Sequence, residues 1–286
     1  MQSSTIQLIE CPRDAMQGWK HFIATDQKIK YINALLKVGF DTIDFGSFVS
    51  PKSVPQMADT KQVIDGLQMT DDSTKLLAIV ANTRGAEDAV LFDKISYLGF
   101  PFSISPIFQI RNTNSSIEES LIRVDEIQEL CLKNNKQLVI YLSMGFGNPY
   151  GDVYNEEILL HWADEMVKRN INIISLADTV GVATPQQISF ALKTLIPKYP
   201  SATIGVHLHS TAFNWKEKLQ AALDAGCTRF DGALKGIGGC PFAQDDLVGN
   251  MDSELMIVYL AEQNLLKGID TIALQESLLI ADEIFK

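Results

Sequence analysis

Two histidines stand two residues apart in the run Gly205-Val206-His207-Leu208-His209-Ser210. In an extended strand alternate side chains share a face, so His207 and His209 would present two imidazoles on the same side. Paired neutral imidazoles suit a divalent cation when carboxylate or amide oxygens complete the shell. Alone, such a pair is more often two satisfied polar residues of a strand. What matters is whether further donors reach the same place. Arg13 and Asp14 follow the first strand-like run, Asp44 the second, Ser143 the fifth and Asp178 the sixth. After the eighth run comes the loop Gly236-Ile237-Gly238-Gly239-Cys240-Pro241-Phe242, which leads on to Gly249-Asn250. Asp14, His207, His209 and Asn250 could together make a mixed nitrogen and oxygen shell with open positions for water and substrate. Such a shell suits Mg2+ or Mn2+, would accept zinc by its imidazoles, and could polarise a substrate oxygen. Each residue also has a plainer reading. Arg13 and Asp14 could be a surface pair, Asp44 a turn cap and Asp178-Thr179 a helix start. The glycine-rich loop could be a tight turn, and Cys240 an inert thiol.

The elements that would bring these residues together are short apolar runs alternating with longer amphipathic ones. Strands are expected over 5–10, 42–45, 76–80, 101–105, 138–143, 171–176, 203–208 and 228–231. Helices are expected over 26–38, 61–67, 86–98, 156–168, 215–225, 253–263 and 270–284. Ser116-Ile117-Glu118-Glu119 fits a capping box that opens another helix. Thr184-Pro185 opens one more, with an N-cap residue and proline at the first turn. Strands alternating with helices of 10–15 residues indicate parallel βαβ units. Eight of them without a linker favour one closed (β/α)8 TIM barrel over residues 1–286, with an additional C-terminal helix. An open doubly wound sheet would carry a glycine-rich phosphate turn after its first strand, where this chain has Cys11-Pro12-Arg13-Asp14. In such barrels, functional residues collect at the C-terminal ends of the strands, where the candidates above lie.

Composition narrows the functional classes. The chain has 286 residues, 46% of them hydrophobic, enough for a sizeable core. With 35 acidic against 24 basic residues, its formal charge of −11 argues against a nucleic-acid partner, since phosphate binding needs a basic face. Cys11, Cys131, Cys227 and Cys240 form no CxxC pair, so a reduced, cytoplasmic setting is expected. No apolar run approaches the roughly 18 residues of a membrane span.

The chain resembles the hydroxymethylglutaryl-CoA lyases, metal-dependent barrel enzymes related to the isopropylmalate and homocitrate synthases. The matching stretches begin with Pro12-Arg13-Asp14 and Gln17, then Ser47-Phe48-Val49-Ser50-Pro51-Lys52 through Val54-Pro55-Gln56-Met57. They continue with Ser116-Ile117-Glu118-Glu119-Ser120, Asn148-Pro149-Tyr150, Asp178-Thr179, Thr184-Pro185, His207-x-His209, Gly238-Gly239-Cys240-Pro241 and Gly249-Asn250. Arg-Asp with the histidine pair marks the wider superfamily, while the serine-phenylalanine and glycine-cysteine stretches point to the lyase branch.

The resemblance implies a divalent cation, Mg2+ or Mn2+, held by Asp14, His207, His209 and Asn250. It implies that Arg13 stabilises an enolate oxygen and that Cys240 is the acid protonating the enolate carbon. Asp44 and Asp178 would be acid, base and orienting carboxylates. Tyr150 and Gln17 would contact substrate, and Lys20 would meet an anionic part of an acyl-CoA thioester. The implied reaction is retro-Claisen cleavage of 3-hydroxy-3-methylglutaryl-CoA to acetyl-CoA and acetoacetate, in a homodimer or higher homo-oligomer. The chain departs from the family pattern at Asp44, where glutamate is expected, and at Cys11-Pro12, where glycine usually precedes the proline. Ser210 and Lys235 are further departures. The competing readings are a condensing enzyme of the synthase branch and a catalytically silent acyl-CoA-binding barrel.

Overall fold

Successive residues along the strands enter two different environments. Leu76 and Ala78, and likewise Leu138, Ile140 and Leu142, belong to the main apolar core. Leu77, Val139 and Tyr141, which lie between them in sequence, form a separate cluster with Ile79, Tyr97 and Ile173. Strands buried on both faces are the mark of a parallel sheet covered by helices. Here the sheet closes on itself: one face packs on the helices and the other fills the barrel interior. Gly99 makes that interior possible, because a Cβ there would lie 2.6 Å from Ile79 Cδ1 and 3.0 Å from Tyr141.

The computed structural model describes residues 6–69, 74–239, 248–266 and 268–286. Its strands are β1 (Gln7–Glu10), β2 (Thr42–Ser47), β3 (Lys75–Ile79), β4 (Ile95–Ser103), β5 (Gln137–Ser143), β6 (Ile173–Ala177), β7 (Thr203–His207) and β8 (Arg229–Gly232). Each pairs in parallel with the next, and β8 pairs back with β1, so the barrel is closed. The α-helices are α1 (Pro12–Gln17), α2 (Thr25–Leu35), α3 (Thr60–Asp65), α4 (Thr83–Ala89), α5 (Pro106–Thr113) and α6 (Ile117–Lys133). They continue with α7 (Glu156–Lys168), α8 (Pro185–Lys198), α9 (Trp215–Asp224), α10 (Ser253–Glu262) and α11 (Thr271–Ile284). No helix among the described residues is long and apolar enough to cross a membrane.

The expected (β/α)8 barrel and its C-terminal helix are therefore present; the capping box at Ser116 and the N-cap at Thr184 form as the sequence predicts, and Gln187 completes a second box at Thr184. The fourth unit differs. The helix expected over 86–98 stops at Ala89, and the strand expected to begin at residue 101 begins at Ile95. Ala89, Phe92, Ile95 and Leu98 recur every three residues and imitate a helix face, which hides the start of the strand. Pro101 lacks an N–H, yet it is tolerated inside β4 because pairing with β3 ends at Gly99, leaving only the β5 side. Two elements were not expected. The Cys11-Pro12-Arg13-Asp14 segment is no open turn; it enters α1 with Pro12 at its first position. Helix α5 follows β4, capped by Ser105, whose hydroxyl accepts from Phe108 N. Strand β7 ends at His207, so His209 lies just beyond it in an isolated bridge with Asn250.

Glu10, at the end of β1, is fully buried and ties the closing seam of the barrel. Its carboxyl accepts from Leu234 N at 2.8 Å and from Ser253 Oγ at 2.5 Å, joining β1 to the exit of β8 and the start of α10. Burial pushes its pKa from 4.5 up to about 8, against both hydrogen bonds. A carboxyl that binds its proton more tightly when folded loses stability as pH rises from its unfolded pKa to its folded one. Glu10→Gln removes that loss. Urea unfolding at about pH 5 and about pH 9 should show the variant gaining several kcal/mol on the parent at the higher pH. Equal differences at both pH values would contradict an ionisation penalty at Glu10.

Candidate active site and metal centre

The first turn of α1 places Arg13 and Asp14 directly over the end of β1, both buried. On the opposite side, residues after β7 are pinned by a short backbone ladder. Ser210 N donates to Gly249 O at 3.0 Å and Met251 N to Leu208 O at 3.1 Å. That ladder sets Asn250 beside His209 although they are 41 positions apart. Gly238 permits the close approach from the other side. Its φ is +112°, and a Cβ there would lie 2.5 Å from Asn250 Nδ2 and 2.9 Å from Asp14 O.

Donor atoms of Asp14, His207 and His209 consequently lie within 4.8 Å of one another. The two imidazole rings are 5.3 Å apart, centre to centre. Asn250 Nδ2 donates to Asp14 Oδ2 at 2.7 Å and to Ile237 O at 2.9 Å. Its other amide atom, Oδ1, is buried with no hydrogen-bond partner among the described residues. A buried polar atom left unpaired costs about 1–3 kcal/mol, and a cation beside Asp14 and the histidines would satisfy it. One anionic oxygen, two imidazole nitrogens and one amide oxygen are donors that fit a divalent cation.

Electrostatics prepare the set. Burial would raise the Asp14 carboxyl, but Arg13, then His207 and His209, and the Asn250 hydrogen bond outweigh it and hold the pKa at about 2. Burial, aided by neighbouring His207, pushes His209 down to about 4, so its ring is neutral with a lone pair to give at neutral pH. Burial also opposes charge on His207, yet the hydrogen bond and charge of Asp231, with Asp14, move it upward overall. Asp231 Oδ2 meets His207 Nδ1 at 3.3 Å, which leaves Nε2 for the Asp14 side.

Arg13 is held from two directions. Its Nε and Nη2 reach Asp44 Oδ2 at 3.0 and 2.5 Å, and Nη1 reaches Asp14 Oδ1 at 2.9 Å. Burial pushes the Asp44 carboxyl up to about 6 against the guanidinium that pulls it down. Gln17 Nε2 donates to the same Asp14 oxygen at 2.6 Å. Arg13, Asp14, Gln17, Ser143, His207 and His209 line a cavity of about 460 Å³, whose rim adds Arg111 and Arg123.

Other sequence candidates lie outside that lining. Asp178 is buried, pairing with Lys218 Nζ at 2.7 Å and accepting from Ala183 N at 2.9 Å. Lys218 Nζ also donates to His209 O at 2.8 Å, so Asp178 reaches the site through this ammonium. Tyr150 is half-buried and stacked on Phe108, with Arg111 4.5 Å above its ring centre. Lys20 is exposed. Cys240 lies outside the described residues. Lys235 takes a left-handed φ of 64° and pairs with Asp282 on α11.

Several participants escaped the sequence reading. Asp231 stands at the end of β8, the position where barrel function collects, and that rule applied to it would have found it. Arg229, whose Nη1 binds Asp231 Oδ1 at 2.7 Å, and Lys218, on a helix, gave no local signal.

A family model described as HMGL-like matches residues 6–279. The chain is 35% identical over 252 residues to the hydroxymethylglutaryl-CoA lyase YngG of Bacillus subtilis, a match covering 88% of this chain and 83% of that protein. It is 32% identical over 273 residues to the mitochondrial hydroxymethylglutaryl-CoA lyase of Homo sapiens, covering 95% and 83%. Among solved structures, an HMG-CoA lyase from Acinetobacter baumannii in complex with coenzyme A and 3-methylmalate superposes with a TM-score of 0.91. That match has 29% identity and covers 100% of this chain and 92% of the other.

The buried Asp178–Lys218 pair makes a testable demand. Lys218→Met leaves Asp178 buried without its cation and frees the His209 carbonyl, so unfolding free energy in urea should fall by about 3–5 kcal/mol. Adding Asp178→Asn should then cost less than its effect in the parent, since no uncompensated charge remains. Strict additivity would show that the pair does not act as a unit.

Proposed function

The chain belongs to the HMGL-like family, and from that footing we propose that it cleaves 3-hydroxy-3-methylglutaryl-CoA, or a close 3-hydroxyacyl-CoA. The enzyme is a carbon–carbon lyase, and the products of the proposed reaction are acetyl-CoA and acetoacetate. The observation that carries the reading is the convergence of Asp14, His207 and His209 beside a cavity in which Arg13 is fixed. In this reading the whole of residues 1–286 works as one catalytic barrel.

Asp14, His207, His209 and Asn250 Oδ1 would hold Mg2+ or Mn2+. When bound, that cation supplies Lewis acidity toward the hydroxyl and carboxylate oxygens of the substrate. Cleavage removes the proton of the tertiary hydroxyl. The electron pair of the carbon–carbon bond then passes to the thioester side, leaving a ketone and an enolate. Asp44 is fully buried, lies outside the cavity lining and meets Arg13 with both oxygens; it fixes the guanidinium and, in this reading, accepts the hydroxyl proton across that contact. Arg13 turns the N–H groups not spent on carboxylates toward the thioester carbonyl, where negative charge grows. Its geometry is set before substrate arrives, so little reorganisation is needed at the moment of cleavage.

Cys240 returns a proton to the enolate carbon; a thiol with a reference pKa near 8.5 keeps its proton at neutral pH. Gln17 shares Asp14 with Arg13 and borders the cavity. Asp178 is an orienting carboxylate that acts through Lys218 on the His209 backbone. Tyr150 carries Arg111 on its ring, and Arg111 with Arg123 supplies positive charge at the cavity rim for the anionic ester, in place of exposed Lys20.

Two outcomes follow in an assay for acetoacetate. Chelation should abolish turnover and added Mn2+ or Mg2+ should restore it, with Asn250→Ala needing about 10–100-fold more cation for half-restoration. Turnover indifferent to chelation would remove the cation from the reaction. Cys240→Ser should lower kcat by about 10²–10⁴-fold with little change in KM. An unchanged kcat would relieve Cys240 of the acid role.

A further inference from the structure

Beneath the donor set described above lies another, built on three neighbouring strands. Cys11 Sγ, a ring nitrogen of His207 and a carboxylate oxygen of Asp231 all lie within 4.8 Å of one another. The fold brings them together by register. His207 on β7 is opposite Asp231 on β8, and Cys11, directly after β1, donates its N–H to Gly232 O at 2.8 Å. Cys11 and Asp231 are buried, and the thiol is in no disulfide. The chemistry proposed for the upper site leaves Cys11 unused.

The surroundings admit a cation. Three aspartates, Asp14, Asp44 and Asp231, face two guanidinium groups, Arg13 and Arg229, so fixed negative charge is in excess. Beside His207, with its ring edge-on and 5.8 Å away, Tyr141 turns a buried hydroxyl toward the same interior, where Arg229 also lies. A closed interior with a free thiol, an imidazole and a carboxylate has the donors of a softer cation than the oxygen-rich set above.

We propose that Cys11, His207 and Asp231 form a second cation site, selective for a thiophilic dication such as Zn2+. On binding, the Cys11 S–H bond breaks, its proton leaves to solvent, and a sulfur–metal bond forms without change of oxidation state. His207 Nδ1 also gives up its proton to solvent as it exchanges its contact with Asp231 Oδ2 for the cation, which Asp231 also binds, so with both sites filled the ring bridges them as an imidazolate. Because His207 belongs to both donor sets, filling the lower site changes the ring that serves the upper one. A soft cation therefore acts on the upper site from below, without entering the cavity. This inference stands whether or not the chain cleaves a thioester.

The test uses Co2+ as a visible stand-in for Zn2+ in full-length Cys240→Ala protein, with Mg2+ in excess to fill the upper site. A sulfur-to-cobalt charge-transfer band in the near ultraviolet is expected, and it should vanish when Cys11→Ala is added. No band, or a band that survives Cys11→Ala, overturns the proposal. Should Cys11→Ala fail to fold, X-ray absorption at the zinc edge of the Cys240→Ala protein, again with Mg2+, decides the matter. A sulfur neighbour at about 2.3 Å supports the site, and a shell of nitrogen and oxygen alone overturns it. Cys131 and Cys227 join no donor cluster among the described residues, so neither supplies the sulfur.

Discussion

A single buried carboxylate organises this barrel's open end. Asp14 accepts from Arg13, Gln17 and Asn250 and lies against two imidazoles, yet it keeps its charge. A carboxylate that deep would be neutral were its partners removed, because desolvation disfavours the ion. Arg13 in turn needs Asp44, and the placement of Asn250 needs the ladder to the segment after β7. Strand ends far apart in sequence are thus coupled through one ion. The coupling means that the donor geometry is an outcome of the closed barrel and not of any one loop.

Beneath and around that ion, polar groups are buried in pairs that satisfy each other. Lys218 joins Asp178 to the His209 carbonyl, Arg229 joins Asp231, and Asp231 steers His207. Each such group would be costly alone; together they fix rotamers that a solvated site would leave free. One exception beside that ion is informative. Among the described residues, Asn250 Oδ1 is buried without a partner, next to the histidine pair. An unpaired acceptor among donors that suit a cation marks where something else is meant to bind.

Much of this was legible in the sequence. Eight alternations of strand and helix signals specified the barrel, and the ends of those strands pointed to Asp14, His207, His209 and Asn250. The histidine pair was read as one strand face, but β7 stops at His207, and it is the bridge to Asn250 that carries His209 into place. Periodicity misled at the fourth unit, where apolar residues three apart belong to a turn and a strand. Short α1 was hidden because a six-residue helix is too brief to show a stripe. Lys218 and Arg229 were invisible for a different reason: a buried cation has no sequence signature, only a partner supplied by the fold. Asp178 looked like a strand-end carboxylate open to substrate, and the ammonium that closes it off lies 40 positions away.

The most direct measurement is anomalous diffraction from crystals grown with Mn2+ and no other divalent cation. One peak is expected, bounded by Asp14, His207, His209 and the Asn250 amide oxygen, with Arg13 still on Asp44. A peak elsewhere, or none at that place while Asp14 keeps its hydrogen bonds, would contradict the account.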